Sequence, residues 1–115
     1  MFYLKKKLTI SASHCLELDY NSKCENFHGH NWDIVIYLKR KDLDNNGMVY
    51  DFTNIKKFFE KYDHKNLNDI LDFNPTAENM AKYFCEKIPY CYRVDIIETK
   101  NNEVNYIKDG EPNVY

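Results

Sequence analysis

The chain has 115 residues, with 16 Lys and Arg against 18 Asp and Glu and a formal charge of −2. That length suits a single domain over residues 1–115, able to bury about two-thirds of its unfolded surface, and the charge balance gives no reason to expect a nucleic-acid partner. No stretch is apolar for long enough to be a membrane span or an export signal, so a cytoplasmic protein with no membrane partner is expected. In that setting Cys15, Cys24, Cys85 and Cys91 remain thiols. No C-x-x-C occurs, which excludes zinc-ribbon and thioredoxin-type motifs.

Residues 2–13 predict a strand. Phe2, Leu4, Leu8, Ile10 and Ala12 share one parity, interrupted by Lys6. His14 continues that parity, so an extended backbone aims its imidazole to the buried side. Residues 15–27 read as a loop. From His28 the alternation resumes through His30, Trp32, Ile34, Ile36 and Leu38, and Gly29 lets the backbone approach closely between the histidines. Asp44-Asn45-Asn46-Gly47 signals a turn, after which Met48, Val49 and Tyr50 are expected to extend the returning strand.

A helix follows, with Phe52, Ile55, Phe58, Phe59 and Tyr62 in a 3.6-residue stripe and Asp51 or Thr53 as N-cap. The connection over 63–73 carries His64. A second helix opens at Asn74-Pro75-Thr76 with Thr76 as N-cap. Ala77, Met80, Ala81, Phe84 and Ile88 form its apolar face, and Pro89 stops it. The last hairpin places Tyr92, Val94, Ile96 and Glu98 on one parity, then turns at Asn101-Asn102. Glu98 stands where an apolar side chain is called for, and burying a charge without a partner is costly, so it is a candidate donor to a ligand. The element order is ββααββ, an α+β fold; Cys85 and Cys91 read as packing residues.

Three of the four histidines fall within residues 14–30, all at inward parity. Three imidazoles suit zinc, with a fourth position left for water or substrate. The plainer reading is one core histidine and two loop residues. Cys24 is either a fourth ligand closing a structural site or a free thiol whose pKa a neighbouring dication lowers. Asp63-His64 is either the polar end of a helix or a carboxylate-oriented proton relay.

Five segments carry a family resemblance: Cys24-x-x-x-His28-Gly29-His30 with upstream His14, Gly47-Met48-Val49-x-Asp51-Phe52, Asp63-His64-x-x-Leu67-Asn68, Asn74-Pro75-Thr76-x-Glu78-Asn79, and Glu98-Thr99. In this order they resemble the 6-pyruvoyltetrahydropterin synthase / 6-carboxytetrahydropterin synthase family over nearly the whole chain. The resemblance implies a tunnelling fold (T-fold), a four-stranded antiparallel sheet with two helices on one face. Subunits of such a fold join their sheets into a barrel, usually a homohexamer of two stacked trimers with active sites at the subunit boundaries.

It further implies one catalytic Zn2+ per subunit on His14, His28 and His30, with Cys24, Asp63 and His64 transferring protons. Glu98 would anchor the pterin substrate, and Thr76 and Thr99 would line its pocket. The implied substrate is 7,8-dihydroneopterin triphosphate. Zinc would bind and acidify its side-chain hydroxyls, and retro-aldol loss of acetaldehyde with triphosphate would leave 6-carboxytetrahydropterin, the queuosine precursor. The three-residue gap between Cys24 and His28 resembles this bacterial branch more than the animal pyruvoyl branch. Glu25, beside Cys24, also resembles members that use a glutamate as base and form 6-hydroxymethyl-7,8-dihydropterin for folate. A non-catalytic zinc or pterin-binding module is the alternative from another class. Arg93 and the lysines are the available partners for the triphosphate.

Overall fold

The computed structural model describes residues 1–21 and 28–110, except for the side chain of His28. Cys24 and Glu25 lie outside the described residues. The elements are β1 (Phe2–His14), β2 (His28–Arg40), α1 (Phe52–Glu60), β3 (Lys65–Asn66), α2 (Leu67–Ile70), α3 (Ala77–Lys87), β4 (Cys91–Thr99) and β5 (Asn102–Ile107). They build one mixed sheet of order β3-β1-β2-β4-β5. Neighbouring strands are antiparallel, except that β3 pairs parallel with β1 at Ala12 and Ser13.

This differs from the expected sheet by one strand and from the expected helices by one short turn. A two-residue strand has no periodicity to read, so β3 and α2 left no signal in the pattern. Met48 to Tyr50 does not return as a strand either. Asp44 closes that loop on itself: its Oδ1 accepts from the N–H groups of Asn46 (2.8 Å) and Met48 (3.0 Å), and its own N–H donates to the Met48 carbonyl. Gly47 takes φ +80°, which a side chain would resist.

The alternating residues of β1 and β2 face the helices. Ile10, Ala12, Trp32, Ile34, Ile36 and Leu38 meet Val94 and Ile96 of β4 on one side and Ile55, Phe59, Met80 and Phe84 on the other, all buried. Phe59, Tyr62 and Phe84 stack edge-on, with Phe59 and Phe84 ring centres 4.9 Å apart. Side chains of this size contribute about 1.5–3 kcal/mol each on burial. Lys6 interrupts the apolar stripe at a position where its ammonium sits 5.7 Å over the Phe52 ring. The helix caps follow from side-chain acceptors: Asp51 receives the Thr53 N–H, and Thr76 receives the Asn79 N–H. Cys85 and Cys91 are buried packing residues.

The opposite face of β4 is also covered, by polar groups. Arg93 and Asp95 are both buried and joined through Nε to Oδ1 at 2.9 Å and Nη2 to Oδ2 at 3.2 Å. The Asn105 amide and the Tyr37 hydroxyl donate to the same carboxylate at 2.7 and 2.6 Å. Arg93 is thereby committed to Asp95, which removes it from the set of substrate-phosphate partners. Among the described residues no helix is long and apolar enough to cross a membrane.

Burial, reinforced by the hydrogen bond to Asp95, pushes the Tyr37 hydroxyl up to about 12. A raised folded-state pKa contributes stability that is fully present below the unfolded value and is lost as pH rises through the folded one. Thermal melts should therefore fall between about pH 10 and 12, and Tyr37→Phe should make that fall shallower while lowering the melting temperature at neutral pH. An alkaline limb identical in the two proteins would contradict this role.

Candidate metal centre and adjoining cleft

The strand register assembles the centre. In the β1–β2 ladder His14 stands opposite His28 and Ala12 opposite His30, so the three histidine positions share the helix-covered face at one end of the sheet. The third strand brings a carboxylate there: Asp33 pairs with Ile97, and Glu98 follows on the parity of Val94 and Ile96. Glu98 Oε1 lies 2.9 Å from His30 Nε2 and 3.4 Å from His14 Nε2. The buried His14 and the half-buried His30 and Glu98 thus present three donor atoms, all within 4.8 Å of one another.

Those separations fit a metal ion. Two donors at about 2.0–2.1 Å from one tetrahedral ion stand roughly 3.3 Å apart. The protonation state is prepared as well. His14 Nδ1 donates to the Pro75 carbonyl at 2.8 Å, which leaves the Nε2 lone pair directed at the cluster. That carbonyl is available because Pro75 lies just outside α3, whose ladder starts with Met80 N–H on the Thr76 carbonyl. Trp32 fixes the planes of both rings. It meets His14 edge-on at 4.8 Å and His30 at 5.2 Å, and its own Nε1–H is held by the Ala12 carbonyl. The His28 side chain lies outside what the structure describes.

Two asparagines fasten the chain as it leaves His14. The Asn68 amide pairs with both the N–H and the carbonyl of Cys15, at 2.8 and 2.9 Å. Asn74 does the same with Glu17, at 2.9 Å for each bond. Each side-chain amide stands in for a strand partner. Together they hold the chain at Cys15 and Glu17, just after β1.

Asp63 and His64 sit across the edge of β1. Asp63 Oδ1 accepts the Ser11 N–H at 2.8 Å and lies 3.1 Å from His64 Nδ1. The Ser11 hydrogen bond, together with the neighbouring imidazole, holds this carboxyl below its usual range. His64 adopts φ +58° and its N–H donates to the Ser11 carbonyl. A left-handed non-glycine costs about 1–2 kcal/mol, and here the result is an imidazole that is 80% exposed and backed by a carboxylate. His64 and His30 line one open cleft of about 510 Å³, together with Ser11, Ser13, Asn31 and Lys65.

The two threonines are placed differently. Thr76 caps α3, and Thr99 Oγ1 accepts from Asn102 at 2.9 Å in the β4–β5 hairpin. Neither lines the cleft. Sequence reasoning assigned no part to Trp32, Pro75 or Asn74. Trp32 was legible only as one more inward residue between histidine and isoleucine, and a backbone carbonyl leaves no trace in composition.

The family model described as PTPS, 6-pyruvoyl tetrahydropterin synthase, matches residues 3–109. The chain is 30% identical to the 6-carboxy-5,6,7,8-tetrahydropterin synthase of Bacillus subtilis, covering 91% of this chain and 84% of that protein. It is 32% identical to the 6-pyruvoyl tetrahydrobiopterin synthase of Dictyostelium discoideum, over 90% and 93% of the two chains. The solved structure of the Caenorhabditis elegans 6-pyruvoyl tetrahydropterin synthase superposes with a TM-score of 0.72 at 29% identity, covering 93% of this chain and 95% of that one. With its metal-ready histidines and its T-fold sheet, the chain belongs to the 6-pyruvoyl tetrahydropterin synthase family.

Proposed function

We propose that the protein is a zinc-dependent 6-carboxy-5,6,7,8-tetrahydropterin synthase acting on 7,8-dihydroneopterin triphosphate and releasing acetaldehyde and triphosphate. The observation that carries this reading is the cleft that both His30 of the metal cluster and His64 line, with Asp63 behind His64 at 3.1 Å. Lyase chemistry on a hydroxylated side chain needs a Lewis acid and a proton carrier on the same substrate, and the cleft supplies a place for both.

His14, His28 and His30 would hold the ion, His14 through the Nε2 that Pro75 leaves unprotonated. A bound zinc supplies positive charge that acidifies the substrate hydroxyls. Cys24 is the family motif's thiol and acts as the base on the side chain. His64 exchanges a second proton through Nε2 while Asp63 holds its Nδ1. Glu98 receives the amino and ring N–H edge of the pterin, a task for which a carboxylate with two acceptor oxygens is suited. Self-association is supported by open sheet edges. Among the described residues β1 is paired on its outer side only at Ala12 and Ser13, and β5 has no outer neighbour, so sheets of adjacent subunits can continue one another into the barrel of a homohexamer.

The 6-pyruvoyl product is the second reading, because relatives of that name in Dictyostelium and human match about as well as the Bacillus protein. Mass spectrometry of the reaction decides. Acetaldehyde with 6-carboxytetrahydropterin is expected from the wild type. Cys24→Ala should abolish it with zinc retained, and Asp63→Asn should lower kcat about a hundredfold or more. A pyruvoyl product, or a 6-hydroxymethyl product lost in Glu25→Ala, would move the protein to another branch. Unchanged substrate would leave a non-catalytic zinc module.

Metal analysis of the purified chain should find one zinc per subunit, lost in His14→Ala and in His30→Ala. Glu98→Gln should keep its zinc and raise KM for the pterin. Loss of zinc from that variant would instead make Glu98 a ligand.

A further inference from the structure

We propose that Asn79, an exposed residue on the first turn of α3, is a positioning residue for the metal centre: its side-chain amide holds the Asn74-Pro75-Thr76 turn in the conformation that aims the Pro75 carbonyl at His14 Nδ1. This rests on the reading of His14 as a zinc ligand, and it extends that reading to a residue that does not line the cleft.

The turn is tied at each of its members. The Asn74 carbonyl accepts two donors, the Thr76 N–H at 2.8 Å and Asn79 Nδ2 at 3.0 Å. The first of these bonds closes a three-residue turn around Pro75, whose ring holds φ near the value such a turn requires. The Thr76 carbonyl starts the α3 ladder by accepting the Met80 N–H. The carbonyl left for the imidazole is that of the buried Pro75, and it accepts from His14 Nδ1 at 2.8 Å. The Asn74 side chain anchors the turn from the other side, by pairing with the backbone of Glu17 shortly after His14.

The choice of asparagine follows from this arrangement and not from helix capping. Thr76 is the N-cap, so Asn79 stands at the third helical position. The usual side chain there is Glu or Gln, which accepts the N-cap N–H. Here that N–H is already given to Asn74, and the Asn79 N–H goes to Thr76 Oγ1 at 3.1 Å. The Asn79 side chain meets a carbonyl instead, which can only accept, so an amide NH2 is needed. A carboxylate would serve the helix N-terminus better and would fail the turn.

Asn79→Asp separates the two tasks, because it keeps the size and suits the helix end while losing the donor. Zinc affinity of the full chain is measured by competition with a chromophoric chelator. The ring nitrogens of its four histidines are read by NMR after selective nitrogen labelling, without metal and in mildly alkaline buffer where the rings are neutral. Wild-type His14 is expected as the single Nδ1-protonated tautomer. Asn79→Asp and Asn79→Ala should bind zinc about tenfold more weakly, as loss of an outer-shell partner does. Their His14 signals should shift towards a mixture of tautomers, and the metal-free melting temperature of Asn79→Asp should be unchanged. Lys82→Ala, at an exposed position further along α3, should match the wild type in every measurement. Unchanged His14 signals in both Asn79 variants would overturn the proposal whatever happens to affinity or melting temperature, and so would wild-type zinc affinity.

Neither measurement uses a pterin. The expected effects without turnover of the pterin uphold the positioning role and sink the enzyme reading. A wild type that binds no zinc sinks the metal reading, and the His14 signals alone then decide whether Asn79 orients the ring.

Discussion

The register between β1 and β2 is the constraint on which the site depends. Side chains alternate across a strand with a period of two, so a slip of one residue would send His14 or His30 to the helix-free face. Thirteen paired positions, from Phe2 against Arg40 to His14 against His28, hold it in place. The core holds it too, because Ile10, Trp32, Ile34, Ile36 and Leu38 would have to leave the helices together. The energy that positions two imidazoles is thus mostly hydrophobic and is contributed far from them.

What the ladder cannot do is set the direction of each ring. That falls to a second layer drawn from elements distant in sequence: the Pro75 carbonyl ahead of α3, the indole of Trp32, and the Glu98 carboxylate from β4. Asn68 and Asn74 extend the same scheme to the segment after His14, joining the α2 and α3 region to the chain that leads to Cys24. The motif asparagines and the Asn-Pro-Thr turn have structural tasks sufficient to account for them. One of those tasks, the hydrogen bond from His14 to Pro75, sets the tautomer that a metal requires.

The two faces of the sheet are unlike. The helix face is apolar up to its histidine end. The other face is mostly polar, carrying Val35 and Ile97 besides a buried Arg93–Asp95 pair at one end and hydrogen-bonded Thr9–Asp33 and Ser11–Asn31 pairs leading towards the cleft. Breaking a buried pair leaves an uncompensated charge and typically costs about 3–5 kcal/mol, so Arg93 and Asp95 are expected to be needed as a unit.

Local pattern determined most of what could be read beforehand: both long strands, the inward parity of His14 and His30, the anomalous position of Glu98, and both main helices with their Asp51 and Thr76 caps. These are legible because period-2 and period-3.6 burial and N-capping act between residues near in sequence. The fifth strand, the self-closed loop at Asp44, the engagement of Arg93 by Asp95 and the meeting of His30 with His64 in one cleft were decided only in three dimensions. Each depends on which distant groups the packed sheet brings within hydrogen-bond reach, and a two-residue strand or a backbone carbonyl has no side-chain pattern to announce it.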